Sequence, residues 1–220
     1  MRIAVIGPGR IGGNAARLLA RAGHDVTLAF SRDEERLRAL ADEIGARATE
    51  PAAAVQDADV VVLSVPWRLV DEALAQTGPL DGKVVIDTTN QFGAGGLEAL
   101  PDGETAAQVN QRRMPGARLV KTFNTLTSAF QASEAHRPDP DQRVVLFLAG
   151  DDADAKEIVS GLIRDTGFEP ADVGGLADAS VMEAPRREGA VYGEEYRPAD
   201  ARAVVEAVRA GRSIPPTPSY

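Results

Sequence analysis

The sequence has 220 residues and a formal net charge of −9, with 24 Lys plus Arg against 33 Asp plus Glu. That balance argues against nucleic acid as a partner. There is no cysteine, which excludes disulfides, zinc–thiolate sites, iron–sulfur clusters and cysteine catalysis. No apolar run approaches the roughly 20 residues of a membrane span. The chain opens directly on a strand and leaves no room for a signal peptide, so a cytoplasmic protein is expected.

Residues 1–6 form a short apolar run with a β-branched bias. Gly7, Pro8, Gly9, Arg10, Ile11 and Gly12 follow at once, and a helical pattern with Leu18 and Leu19 comes next. A second apolar run, residues 26–30, ends in Ser31 and Arg32. Strand, glycine turn, helix and strand is the context in which Gly-x-Gly-x-x-Gly signals a dinucleotide site. Gly7 allows the tight turn, Gly9 lets the pyrophosphate approach the backbone, and Gly12 lets the helix pack on the strand. The helix N-terminus offers free N–H groups and a positive dipole end to phosphates.

The end of the second strand distinguishes the two nicotinamide dinucleotides. NAD enzymes usually place an Asp or Glu there, which bonds the ribose 2′-hydroxyl. Here Arg32 stands at that place, with Ser31 before it and Arg36 one turn later. A hydroxyl and guanidinium forks suit a 2′-phosphate, which favours NADP. Asp33 lies close by and offers the alternative of a ribose contact.

The remaining elements alternate. Residues 33–44 read as a helix with Leu37, Leu40 and Ile44 on one face, and residues 51–55 as a short helix. Residues 59–65 are a near-continuous apolar run, the mark of a strand buried on both faces. Helices are predicted at 67–75, 104–113, 125–135, 153–165, 176–184 and 199–210. Strands are predicted at 83–87, 118–123, 143–149 and 168–173. Residues 91–103 should loop.

This alternation implies an α/β, Rossmann-like, doubly wound parallel sheet. The loop at 136–142 marks a boundary between a dinucleotide-binding domain, 1–140, and a small C-terminal lobe, 141–220. The lobe is expected to complete the sheet and the acceptor cleft.

Ligands of such folds sit at the carboxyl ends of the strands. There the sequence places Ser64, Val65, Pro66 and Trp67, then Thr89 and Asn90, then Lys121 and Asn124. Val65 and Pro66 can leave backbone groups facing a nicotinamide. Asn90 and Asn124 can bond its carboxamide or the acceptor, and Asn124 serves equally well as a helix N-cap. Lys121 reads as a surface residue, or as one facing a phosphate or a keto oxygen. His24 and His136 lie badly for catalysis. With no evident proton donor, the pattern leans toward an acceptor ring that takes hydride and draws its proton from solvent. No catalytic residue and no metal ligand stands out.

These stretches resemble the NADP oxidoreductase family that works with the deazaflavin coenzyme F420, and the related reductase domain of the STEAP ferric reductases. The resemblance rests on residues 3–12, 30–32, 63–67, 120–125, 150–152 and 172–176, and it covers roughly residues 1–183. It implies hydride transfer between NADPH and a flavin-like ring, either coenzyme F420 or a flavin, often in a homodimer. It also implies that Ser31 and Arg32 hold the 2′-phosphate. After Glu183 the chain departs from the family's apolar helix. Pro185 stops a helix there, and Arg186, Arg187, Tyr192 and Tyr196 become candidates for closing the acceptor cleft, alongside a dimer arm or a solvated loop. A reductase of a small imine or carbonyl, and a non-catalytic NADP-binding sensor or subunit, stay open as alternatives.

Overall fold

The computed structural model describes residues 1–220. The strands are β1 (Arg2–Ile6), β2 (Asp25–Ala29), β3 (Arg47–Ala48), β4 (Val60–Leu63), β5 (Val84–Asp87), β6 (Phe92–Gly93), β7 (Gly96–Leu97), β8 (Arg118–Lys121), β9 (Val145–Gly150) and β10 (Glu169–Gly174). The helices are α1 (Arg10–Arg21), α2 (Glu34–Ile44), α3 (Pro51–Gln56), α4 (Val70–Thr77), α5 (Ala106–Arg113), α6 (Ser128–Glu134), α7 (Ala153–Asp165) and α8 (Pro198–Arg209). Eight strands form one sheet in the order β10-β9-β8-β5-β4-β1-β2-β3, and β6 and β7 form a separate hairpin.

Strand side chains alternate between two cores, as a period of two requires. Ala4, Ile6, Val61 and Leu63 face one side of the sheet, packed with Ala54, Val70, Ala107 and Val204 from α3, α4, α5 and α8. Ile3, Val5, Val60 and Val62 face the other, packed with Leu18, Leu19, Leu40 and Val159 from α1, α2 and α7. With helices on both faces, the central strands read as continuous apolar runs.

The parallel sheet expected from the sequence needs one correction. β9 runs antiparallel to β8, with Val120 opposite Gly150 and Lys121 opposite Ala149, whereas β10 is parallel to β9. The connection from β8 carries one short helix and the proline-containing loop. It enters the sheet beside the end of β8 instead of crossing back to its start, and the Thr122 hydroxyl donates to the Phe147 carbonyl at 2.8 Å across that junction. The sheet thus continues without a break across residue 140.

Several boundaries also move. The helix predicted at 67–75 opens as a 3₁₀ turn, Trp67–Leu69, before α4. The stretch at 176–184 is a 3₁₀ helix, Leu176–Met182. The helix predicted from residue 125 starts at Ser128, capped by the Thr127 hydroxyl, which accepts from the Phe130 amide. Asn124 is therefore not the N-cap. Short β3, with two exposed residues, carried no alternation that could reveal it.

Candidate active site

The three glycines of the first turn have three different surroundings. Gly7 has a φ of +87°, and a Cβ there would lie 2.5 Å from Val65 Cγ1 and 2.6 Å from the Ser64 carbonyl oxygen. Only glycine takes that conformation without strain. A Cβ on Gly12 would lie 2.5 Å from the Gly7 carbonyl oxygen and 2.8 Å from Ser64 Cβ, so close packing of α1 on the turn demands glycine. A Cβ on Gly9 would meet nothing within 4 Å. The space above Gly9 is thus open for a ligand to approach the backbone. The amides of Arg10, Ile11 and Gly12 have no preceding helical turn to bond, and they are free for an anion.

From this turn a cleft extends in two directions along the carboxyl ends of β1, β2, β4, β5 and β8. One end is lined by Gly7, Pro8, Gly9, Ser31, Arg32, Arg36, Val65 and Pro66. The other, of about 530 Å³, is lined by Gly9, Arg10, Ile11, Val65, Pro66, Asn90 and Asn124, together with Phe92, Arg186 and Tyr192. Every residue expected from the sequence to hold the dinucleotide lines this cleft except Gly12, which lies behind it in a packing role.

At the first end, Phe30 holds a φ of +62°, uncommon for an aromatic residue, and turns the chain out of β2. The Ser31 hydroxyl donates to the Asp33 carbonyl at 2.9 Å and accepts from the Asp33 amide. The Asp33 carboxylate caps α2, accepting from the Arg36 amide at 2.9 Å. Arg32 and Arg36 make no ion pair with any carboxylate of the chain, and both border the cleft.

At the second end the two asparagines hold each other. Asn90 Nδ2 donates to the Asn124 carbonyl at 3.0 Å, and Asn124 Nδ2 donates to the Met182 carbonyl at 2.8 Å. The Ala184 amide donates to Asn90 Oδ1 at 3.2 Å. Asn124 Oδ1 is buried and has no partner. An orphaned acceptor of this kind costs free energy unless a ligand donor meets it, and a carboxamide N–H₂ is such a donor. Burial among its neighbours raises the Tyr192 phenol above its ordinary value, so it stays protonated at neutral pH.

The four candidates after Glu183 separate. Arg186 and Tyr192 border the cleft, and Arg186 is paired with Glu194. Tyr196 is fully buried, edge-on to Phe147 with ring centroids 5.3 Å apart, and cannot touch a ligand. Arg187 is turned back onto the carbonyls of Ser180, Glu183 and Pro185. Trp67 is buried beneath the Arg113 guanidinium, 4.3 Å from its ring centroid.

Lys121, read as a surface residue, is completely buried, because β5 and β8 place it in register with Asp87. Its ammonium lies 3.0 Å from the Asp87 carboxylate and 3.9 Å from that of Glu183, and it also donates to the Thr89 carbonyl. Asp87 accepts from Asn110 Nδ2 at 3.0 Å and from the Thr89 amide at 2.8 Å. Glu183 accepts from the amides of Ala106 and Ala107, at the start of α5. The network ties β5, β8, α5 and the start of the C-terminal segment together beneath Asn90. Sequence reasoning missed it, although a Lys and an Asp at neighbouring ends of apolar strands were its trace.

A glycine turn on a parallel sheet, free arginines beyond β2 and a cleft across the strand ends define an NADP-dependent oxidoreductase. The model of the NADP oxidoreductase family described as coenzyme F420-dependent matches residues 2–91 of the chain. The chain is 29% identical over 184 residues to metalloreductase STEAP3 of Rattus norvegicus, covering 83% of this chain and 36% of that protein. The chain thus spans about a third of the length of that curated relative. Among solved structures, it resembles a hypothetical protein from Sinorhizobium meliloti, at 30% identity and a TM-score of 0.77, over 90% of this chain and 95% of the other. A putative F420-dependent NADP reductase from Arthrobacter sp. FB24 is 26% identical, with a TM-score of 0.70, over 81% and 87%. No helix is long and apolar enough to cross a membrane.

Proposed function

We propose that the enzyme moves hydride between NADPH and a planar ring acceptor of the deazaflavin or flavin type. The glycine turn, Gly7 to Gly12, and the first amides of α1 hold the pyrophosphate. Ser31, Arg32 and Arg36 hold the 2′-phosphate, and Val65, Pro66, Asn90 and Asn124 flank the nicotinamide. Bound NADPH supplies the hydride. One observation carries the choice of acceptor. Beyond the asparagines the cleft widens against Phe92 and Tyr192, and its lining holds no carboxylate, imidazole or ammonium group. A ring that accepts hydride and takes its proton from water needs no such group.

Tyr192 favours a second reading. Its phenol stays protonated at the same end of the cleft and is a proton donor for an imine or carbonyl. The two readings separate when NADPH oxidation is followed with riboflavin, FMN, a 5-deazaflavin and a cyclic imine. Ring reduction is expected, and Tyr192→Phe should leave it within about twofold of wild type. If the imine alone is reduced, and Tyr192→Phe lowers that rate by the roughly 10²–10⁴-fold of a lost general acid, the second reading replaces the first.

Cofactor choice has its own check. Arg32→Ala removes a charge-assisted contact of about 1.5–3 kcal/mol, roughly tenfold or more in NADPH affinity. NADH affinity should barely change. Equal losses for both nucleotides in a titration would remove Arg32 from the 2′-phosphate site.

A further inference from the structure

Glu183 is buried and does not line the cleft, yet the residues on either side of it hold both asparagines of the nicotinamide end. The Met182 carbonyl accepts from Asn124 Nδ2 at 2.8 Å, and the Ala184 amide donates to Asn90 Oδ1 at 3.2 Å. Asn90 Nδ2 donates in turn to the Asn124 carbonyl. A backbone carbonyl can only accept and a backbone N–H can only donate, so these bonds decide which way each side-chain amide is turned. They leave Asn124 Oδ1 as the acceptor without a partner. The 3₁₀ helix Leu176–Met182 ends here and no strand begins, so the anchor of this stretch is the Glu183 side chain. One of its carboxylate oxygens accepts from the Ala106 amide at 2.9 Å. The other accepts from the Ala107 amide at 2.8 Å and lies 3.9 Å from the Lys121 ammonium. The amides are the first of α5, where the helix end favours a negative charge. Asn90 is steadied from its other side, because the amide, carbonyl and hydroxyl of Thr89 are engaged by Asp87, Lys121 and Asn110.

We propose that Glu183 is a positioning residue for the nicotinamide. Its buried carboxylate holds Met182 and Ala184 in place, and they in turn set the amides of Asn90 and Asn124, with Asn124 Oδ1 kept for the N–H₂ of the carboxamide. This rests on the reading that the two asparagines flank the nicotinamide, and adds what turns them. If the anchor shifts, both bonds slacken and Asn124 is free to turn over. Its Nδ2 then meets the carboxamide N–H₂, donor against donor, and neither group is satisfied. Glu183 lies outside the cleft, so it acts only through the asparagines.

Calorimetric titrations with three probes separate positioning from folding. They are NADP⁺, its 3-acetylpyridine analogue, in which a methyl group replaces the carboxamide N–H₂, and adenosine 2′,5′-bisphosphate, which has no nicotinamide. Wild type should prefer NADP⁺ to the analogue roughly three- to tenfold, the worth of one hydrogen bond. Glu183→Gln keeps the length but sets an N–H₂ group among donors, and should cut that preference to about twofold or less. Its affinity for the bisphosphate should stay within about twofold of wild type, which also certifies the fold. Asn124→Ala should lose the same preference, and adding Glu183→Gln to it should cost nothing further. Glu183→Asp keeps the charge beside Lys121, is one bond shorter, and should lose the preference too, which covers failure of the Gln variant to fold. If both Glu183 variants keep the wild-type preference, or lose bisphosphate affinity as much as NADP⁺ affinity, the positioning role is refuted while the asparagine site stands. A further loss in the Asn124→Ala background refutes it as well. If wild type itself does not distinguish NADP⁺ from the analogue, the asparagines do not meet the carboxamide, and both readings fall.

Discussion

Lys121→Met should lower the stability of this protein by about 3–5 kcal/mol, the usual cost of stranding a buried partner charge. The ammonium is fully buried and is the only cation within 4.0 Å of either Asp87 or Glu183. Methionine fills much the same volume, so packing is largely kept. Two carboxylates remain in the core, each still held by amide donors but neither by a cation. Against a typical total of about 5–15 kcal/mol the loss is large, and at roughly 2–4 °C per kcal/mol for a chain of this size the melting temperature should drop by on the order of 10 °C. The second variant Lys121→Met with Asp87→Asn should recover a good part of it, since the amide oxygen still accepts from Thr89. Denaturant midpoints for the two variants decide the matter. A loss below about 1 kcal/mol for the single change would mean that the ion pair is replaceable by apolar packing alone, and that some other feature holds the segment at Glu183 in place.

The parts of this molecule that could be read from its sequence are those governed by local rules. The first strand, glycine turn and helix follow from periodicity and backbone sterics, and the structure gives Gly7 and Gly12 the packing reasons expected of them. The position of Arg32 and Arg36 beside the cleft follows from the strand end that carries them, whose geometry is regular. Lys121 was misread because its burial depends on register with a strand more than thirty residues away. Tyr196 was misread for a similar reason, since only the return of the C-terminal segment onto β9 decides that it packs on Phe147. The direction of β9 could not be inferred either. An apolar strand looks the same in sequence whether its neighbour runs with it or against it. Phe92 was hidden in a glycine-rich stretch where a two-residue strand leaves no periodic trace.

Gly9→Ala should weaken NADPH and NADH alike, by about 1–3 kcal/mol for an extra methyl group in a fitted contact, roughly ten- to a hundredfold. The protein has room for that methyl group, since a Cβ on Gly9 meets nothing within 4 Å. The backbone there, with φ −75° and ψ −144°, lies outside the usual regions of a non-glycine residue, so a loss of about 1 kcal/mol, roughly 2–4 °C in melting temperature, is expected. Gly12→Ala should cost the fold more. Its Cβ would press on the Gly7 carbonyl at 2.5 Å, so stability itself should fall, and nucleotide binding with it. The pair separates a glycine kept for the ligand from a glycine kept for the fold, which no single substitution can do. Arg32→Ala completes the contrast, because it should discriminate between the two nucleotides where Gly9→Ala does not. Calorimetric titration of both nucleotides, beside a thermal melt of each variant, reads all three patterns. If Gly9→Ala binds NADPH like wild type, the pyrophosphate does not cross the turn at Gly9, and the open space there has another purpose.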